Sequence, residues 1–273
     1  VMQRAGRTTT TMRRLTSLIV AAVLAGGCGS THSEKAAAER SHQPVTAARS
    51  TLPQLIPPPP PPRIKPPLPT SPGNGTHRAL PIDRIPTRER VVFLTVDDGA
   101  AKDPAFAEMM RTLRVPFSMF LTDSLAGDDY PYFARLQRLG NKVQNHTLSH
   151  KRLAGLPYAD QRAEICGQQN RLRKVFGERP TLFRPPYGYH DATTLRAAAD
   201  CGIRATVLWR ANVQPGKPGP FAGDHPLRPG DIVLFHFFPK ERLEGTTLKK
   251  VTEDLLRAIT AQGFAVARLE DYV

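Results

Sequence analysis

The sequence predicts an α/β fold, a distorted (β/α) barrel of about seven parallel strands spanning residues 88–273. Two observations predict it. From about Arg88 onward, short apolar runs alternate with longer stretches of helical pattern, as repeated β/α units do. The side chains able to do chemistry fall at the carboxyl ends of those apolar runs, which in a barrel of parallel strands form one face.

The elements follow in order. The strand candidates are "VVFLTV" (91–96), "PFSMFL" (116–121), "NKVQNH" (141–146), "TLFRP" (181–185), "IRATVLW" (203–209), "DIVLFHF" (231–237) and "FAVARL" (264–269). Helical patterns fill the intervals at 104–113, 130–139, 158–176, 193–200 and 247–262. Several of these close on a glycine (Gly140, Gly177, Gly202, Gly263), the residue that most readily ends a helix. Asp97 and Asp98 follow the first strand, and His146 ends the third. Arg184 falls at the end of the fourth with Tyr187 just beyond it, Trp209 ends the fifth, and His236 sits late in the sixth.

Upstream of this region the chain reads differently. Arg4, Arg7, Arg13 and Arg14 precede "LTSLIVAAVLAGG", an apolar run shorter than a bilayer span, which is the form of an export signal. It ends in "LAGGC", which resembles the lipobox of bacterial lipoproteins, with Cys28 as the lipidated residue and Ala25 in place of the usual leucine. Residues 1–28 are thus expected to be a lipoprotein-type signal peptide, anchoring the chain to the outer face of a bacterial cytoplasmic membrane. An ordinary signal peptide and a secreted product are the alternative. Residues 29–87 are polar and then proline-rich ("LPQLIPPPPPPRIKPPLPTSPGNG"), and they read as a disordered linker of polyproline II stiffness.

Outside the cytoplasm disulfides persist, so Cys166 and Cys201 are either a bridge or two buried thiols. The formal charge of +14, from 38 basic against 24 acidic residues, suggests a polyanionic neighbour. The basic residues are scattered rather than gathered, and an exported chain meets anionic lipid and wall polymer, not nucleic acid. The expected state is a monomer.

Two histidines and one carboxylate are a recurrent hydrolytic metal set, and His146, His150 and one of Asp97 or Asp98 could supply it. Taken singly, each motif has an ordinary structural explanation. His-x-x-x-His occurs in loops, "DDG" makes a good turn with glycine supplying the positive φ, and His236 could be a core histidine as readily as a proton donor.

Taken together, "TVDDG" (95–99), "HTLSH" (146–150), "RPPYG" (184–188) and "LFH" (234–236) resemble, in order and separation, the motifs of the polysaccharide deacetylases, the NodB homology domain of carbohydrate esterase family 4. The resemblance spans roughly residues 90–273. It implies Asp97 as catalytic base and Asp98, His146 and His150 as ligands of a divalent metal, zinc first. It further implies Arg184 as the residue that orients Asp97, Tyr187 as an oxyanion donor through its backbone N–H, and His236 as general acid. Tyr187 and Trp209 would line the substrate cleft. The implied reaction is removal of N-acetyl groups from cell-wall amino-sugar polymers, peptidoglycan or a chitin-like glycan, by water activated at the metal. A glycan-binding pseudoenzyme and an O-acetyl esterase are the alternatives.

The sequence also departs from the family pattern. Val96 and Ala100 replace an aromatic residue and a proline in the first motif. In "LWRANVQPGKPG" (208–219), Arg210 and Asn212 stand where acids would be expected. The acid that tunes His236 is then missing or comes from elsewhere, for instance Asp191 or Asp224.

Overall fold

A computed structural model describes residues 52–67, 78–216, 221 and 226–273. Its strands are β1 (Pro81–Ile82), β2 (Val91–Asp98), β3 (Ser118–Leu121), β4 (Lys142–Asn145), β5 (Leu182–Phe183), β6 (Ala205–Val207), β7 (Ala211–Asn212), β8 (Ile232–His236) and β9 (Ala265–Ala267). The helices are α1 (Pro104–Leu113), α2 (Asp123–Ala126), α3 (Tyr130–Arg138), α4 (Tyr158–Phe176), α5 (Ala192–Asp200) and α6 (Leu248–Ala261). All the ladders are parallel, in the order β1-β6-β5-β4-β3-β2-β8-β7, with β9 paired to the start of β2. The result is a curled, incompletely closed barrel.

β2 is the hub. Its residues 91–97 are all buried, as expected of a near-continuous apolar strand covered on both faces. It pairs with β3, β8 and β9, and the register sets Asp97 opposite both Phe120 and His236. Residues far apart in sequence therefore become neighbours through backbone pairing alone. Outside the curl, α1, α3 and α6 cover the sheet with a large apolar cluster. There Phe106 meets Phe117 and Phe237 edge-to-face at 5.9 and 5.7 Å, and Phe133 meets Phe237 at 5.2 Å. Inside it, Phe93, Phe120, Val207, Ile232 and Tyr272 form a second cluster.

All seven expected strands are present, the first extended to Asp98 and the other six shortened at their ends, and the structure adds two. β5 shrinks to two residues because Pro185, which has no N–H to give a ladder, follows Arg184. β7 and β1 are two residues each, too short to show a period of their own. β1 also shows that the folded domain begins before residue 88. Ile82 and Ile85 are buried, and Leu208 donates its N–H to the Ile82 carbonyl at 2.7 Å.

The proline-rich segment departs from expectation as well. Over 52–67 it lies against the domain, with Pro53 buried and Leu52 and Leu55 packed on the outer apolar cluster. Lys65 Nζ donates to the carbonyls of Glu270 and Val273 at 2.8 and 2.6 Å. Proline stiffness lowers the entropy lost on docking, and the interspersed leucines supply the apolar contact. A cleft of about 480 Å³ runs between Leu55–Pro58 and a wall that includes Leu113, Val115, Phe264 and Val266, at the amino-terminal side of the sheet.

Cys166 and Cys201 form a disulfide joining α4 to the end of α5. Cys28, the signal region and Asp224 lie outside the described residues. Among the described residues no helix is long and apolar enough to cross a membrane.

Candidate active site

β2 delivers two consecutive carboxylates in different ways. Asp97 is still in extended strand and only 2% exposed, while Asp98 turns into left-handed φ at 75°. Gly99 follows at φ 86°, and a Cβ there would sit 2.7 Å from that of Ala126. The "DDG" turn thus needs glycine for both conformation and space.

Asp97 is held by Arg184, whose side chain is completely buried. Arg184 Nη1 donates to Asp97 Oδ1 at 2.6 Å and to Thr95 Oγ1 at 2.9 Å. Nε and Nη2 donate to the carbonyls of Val207 and Leu208 at 3.0 and 3.2 Å. Its plane lies over Phe120 at 4.4 Å, with Trp209 at 5.7 Å. One guanidinium therefore ties the ends of β2, β5 and β6 together and fixes one oxygen of Asp97.

The "HTLSH" stretch is a clamped loop rather than a loose one. Asn145 Oδ1 accepts Thr147 N–H at 2.9 Å, Thr147 Oγ1 accepts His150 N–H at 3.1 Å, and Thr122 Oγ1 donates to the Thr147 carbonyl at 2.9 Å. Glu164 of α4 accepts both the N–H and the hydroxyl of Ser149. Thr147 and His150 are left-handed at φ 71° and 59°. With Asp98 and Tyr187 (φ 60°), four of the six non-glycine left-handed residues among those described belong to this site. Such conformations cost of order 1–3 kcal/mol each and persist where surrounding structure holds them.

His146 Nδ1 donates to the Arg184 carbonyl at 2.7 Å, which leaves its Nε2 lone pair facing inward. That Nε2 lies 3.4 Å from Asp98 Oδ1, and His150 Nε2 lies 3.3 Å from the same oxygen. The three ligand atoms all fall within 4.8 Å of one another. Asp98 Oδ1 is buried, yet it makes no aligned hydrogen bond to either imidazole. An orphaned buried carboxylate oxygen beside two convergent imidazole nitrogens fits a divalent cation with N and O ligands. Burial alone would raise the Asp98 pKa, but the His146 and His150 imidazoles overcome it and hold the carboxyl well below its usual range. Burial likewise disfavours the charged form of His146, and the Asp97 and Asp98 carboxylates together outweigh it, so its pKa is raised. A divalent cation held there would take the place of the proton that these groups otherwise share.

Tyr187 occupies a short turn at Pro186–Gly188; the residue is 61% exposed and its ring stands edge-on to His150 at 4.7 Å. Trp209 packs against Gly188, where a Cβ would approach its ring to 2.9 Å. His236, in register with Asp97, leans on Phe238 at 5.2 Å. Its Nδ1 is buried without a partner, as is Asn212 Oδ1, and both residues line one cavity. Burial pushes the His236 pKa down, against the opposing pull of Asp97 and Asp98.

Asp191 does not supply the missing acid. Its Oδ1 accepts Thr194 N–H and its Oδ2 accepts Gly155 N–H, so the carboxylate caps α5 and pins a loop. Arg210, at a position where an acid was expected, pairs with Asp83 at 3.0 Å. Sequence reasoning missed the supporting residues Thr95, Asn145 and Glu164. Thr95 lies inside the first motif and Asn145 adjoins the second, so both could have been found; Glu164 carries no such signal.

A sequence profile described as polysaccharide deacetylase matches residues 84–206. An uncharacterized protein of Streptomyces coelicolor is 51% identical over 199 residues, 72% of this chain and 79% of that protein. The peptidoglycan-N-acetylmuramic acid deacetylase PdaA of Bacillus subtilis is 24% identical over 197 residues, 68% of this chain and 72% of its own length. Among solved structures, a family 4 carbohydrate esterase pseudoenzyme of Bacillus anthracis superposes with TM-score 0.57 at 18% identity, over 70% of this chain and 68% of that one.

Proposed function

Because the chain belongs to the polysaccharide deacetylase family, we propose that it removes N-acetyl groups from amino-sugar polymers of the cell wall, using a divalent cation held by Asp98, His146 and His150. The observation that carries this reading is the convergence of those three ligand atoms on a buried, unpartnered Asp98 oxygen, beside an Asp97 already oriented by Arg184. A bound divalent cation supplies Lewis acidity, polarising the amide carbonyl and lowering the pKa of water.

The chain's own residues do the rest. Asp97 has one oxygen fixed by Arg184 and the other 3.8 Å from His146 Nε2, so it faces the site and takes the proton that water gives up. His236, beside Asp97 in the sheet, delivers a proton to the nitrogen as the C–N bond breaks, and acetate and a free amine result. The backbone N–H of Tyr187 is assigned to the carbonyl oxygen as charge develops there. Tyr187 and Trp209 offer ring faces to a sugar, the first exposed and the second half-buried. Homology to a peptidoglycan deacetylase supports a wall polymer as substrate. The disulfide supports an oxidising compartment, in keeping with export and an anchor at Cys28.

The test is acetate release from N-acetylated glycan by protein stripped with chelator and then resupplied with metal, with metal content measured on the same samples. We expect His146→Ala to lose both the ion and the acetate. Bound metal with no acetate from any N-acetylated polymer would overturn the reading. One observation favours a second reading, glycan binding without turnover: His236 Nδ1 has no acidic partner among the described residues. Glycan capture by Asp97→Asn equal to wild type, with neither protein releasing acetate, would select it.

A further inference from the structure

His236 also borders a cavity of about 450 Å³ whose remaining walls have no part in the reaction proposed above. His236 and Asn212 form part of its wall, and Phe238, Glu241, Arg242 and Glu244 supply much of the remainder. Among the described residues the three charged side chains make no ion pair, either with one another or elsewhere. Arg242 instead rests its guanidinium over the Phe238 ring at 5.6 Å, and Phe238 leans on His236. Its charge thus lies one ring away from the proposed proton donor. Glu244 is left-handed at φ 47°, and a Cβ on Gly216 would lie 1.8 Å from its Oε2, so the carboxylate fills space that only a glycine leaves open.

Opposite charges that line one cavity without neutralising each other suit a ligand that carries both. An N-acetylglucosamine polymer carries neither, and a peptide-free N-acetylmuramic acid residue carries only the carboxylate. An amino-acid group with a free ammonium and a free carboxylate, as on the peptide borne by peptidoglycan, carries both. We propose that this cavity is a recognition site for such a group, with its carboxylate on Arg242 and its ammonium on Glu241 and Glu244, and that it directs the enzyme to peptide-bearing glycan. Because the cavity shares the His236 wall, its occupant lies close to the nitrogen being released. The peptide would therefore hang from the reacting sugar or its immediate neighbour. This inference rests on the proposed deacetylase reading and names the substrate class of that same site.

Two soluble probes test it: a disaccharide carrying a peptide with a free ammonium and carboxylate, and the same disaccharide with the peptide removed. Their binding to the metal-loaded full chain is measured by calorimetry, with acetate release followed separately. We expect the peptide-bearing probe to bind at least about tenfold more tightly, and Arg242→Ala or Glu241→Gln/Glu244→Gln to erase most of that ratio. Amidating the probe's carboxylate should reproduce the Arg242→Ala loss on wild-type protein, a check independent of how any variant folds. Equal binding of the two probes, or a ratio unchanged in Arg242→Ala, overturns the proposal. Preferential binding without acetate would instead count against the deacetylase reading alone.

Discussion

Arg184 has no exposed side-chain surface, and its guanidinium is divided among Asp97, Thr95 and two backbone carbonyls. Removing one partner of a buried pair leaves the other charge uncompensated, so Arg184→Met should lower stability by about 3–5 kcal/mol in a denaturant melt. Arg184→Lys keeps the charge but not the planar fork, and should lose the carbonyl bonds and most activity. Glu270 tests the opposite situation. Its Oε1 accepts from Gln144 at 2.8 Å, but its Oε2 is buried without a partner, and burial raises its pKa. A carboxyl with a raised folded pKa contributes its full stability below the unfolded value of about 4.3 and loses it as pH rises. Glu270→Gln should therefore raise Tm at pH 7.5, with the gain shrinking toward pH 4.5. At this scale the catalytic candidates were legible because their chemistry is tied to their identity. The orphaned Nδ1 of His236 was not, because what surrounds an atom is decided by packing.

The short loop from His146 to His150 becomes a ligand platform because the elements around it hold it, α4 through Glu164 and β4 through Asn145. Helix and sheet periodicity made most elements readable in advance, and glycines marked four helix ends. β1 and β7 escaped because two residues cannot display alternation, and their pairing depends on strands far away in sequence. β7 carries Asn212 into the His236 cavity. Replacing it with aspartate places a negative charge there that favours the imidazolium, so Asn212→Asp should shift the alkaline limb of the rate profile to higher pH. The disulfide between α4 and α5 closes a loop of 35 residues. Replacing both cysteines by serine should cost about 3–4 kcal/mol, read as a lower denaturation midpoint.

Across the whole molecule, the active residues and the docked 52–67 segment occupy opposite ends of the strands, so substitutions in the two regions should separate cleanly. Leu55→Ser removes apolar contact from the strap and should cost about 1 kcal/mol while leaving acetate release unchanged. The sequence revealed the composition of this segment but not its location, since proline-rich chain reads the same whether free or laid on a surface. The sheet order has a consequence in time as well as space. Two of the three partners of β2, namely β8 and β9, lie far beyond it in sequence. β2 thus stays incomplete, with an apolar edge unpaired, until β8 and β9 have both been made. Such a strand order is slow to fold while the chain is still being made. If the chain is exported, as proposed above, that delay would keep it open for passage.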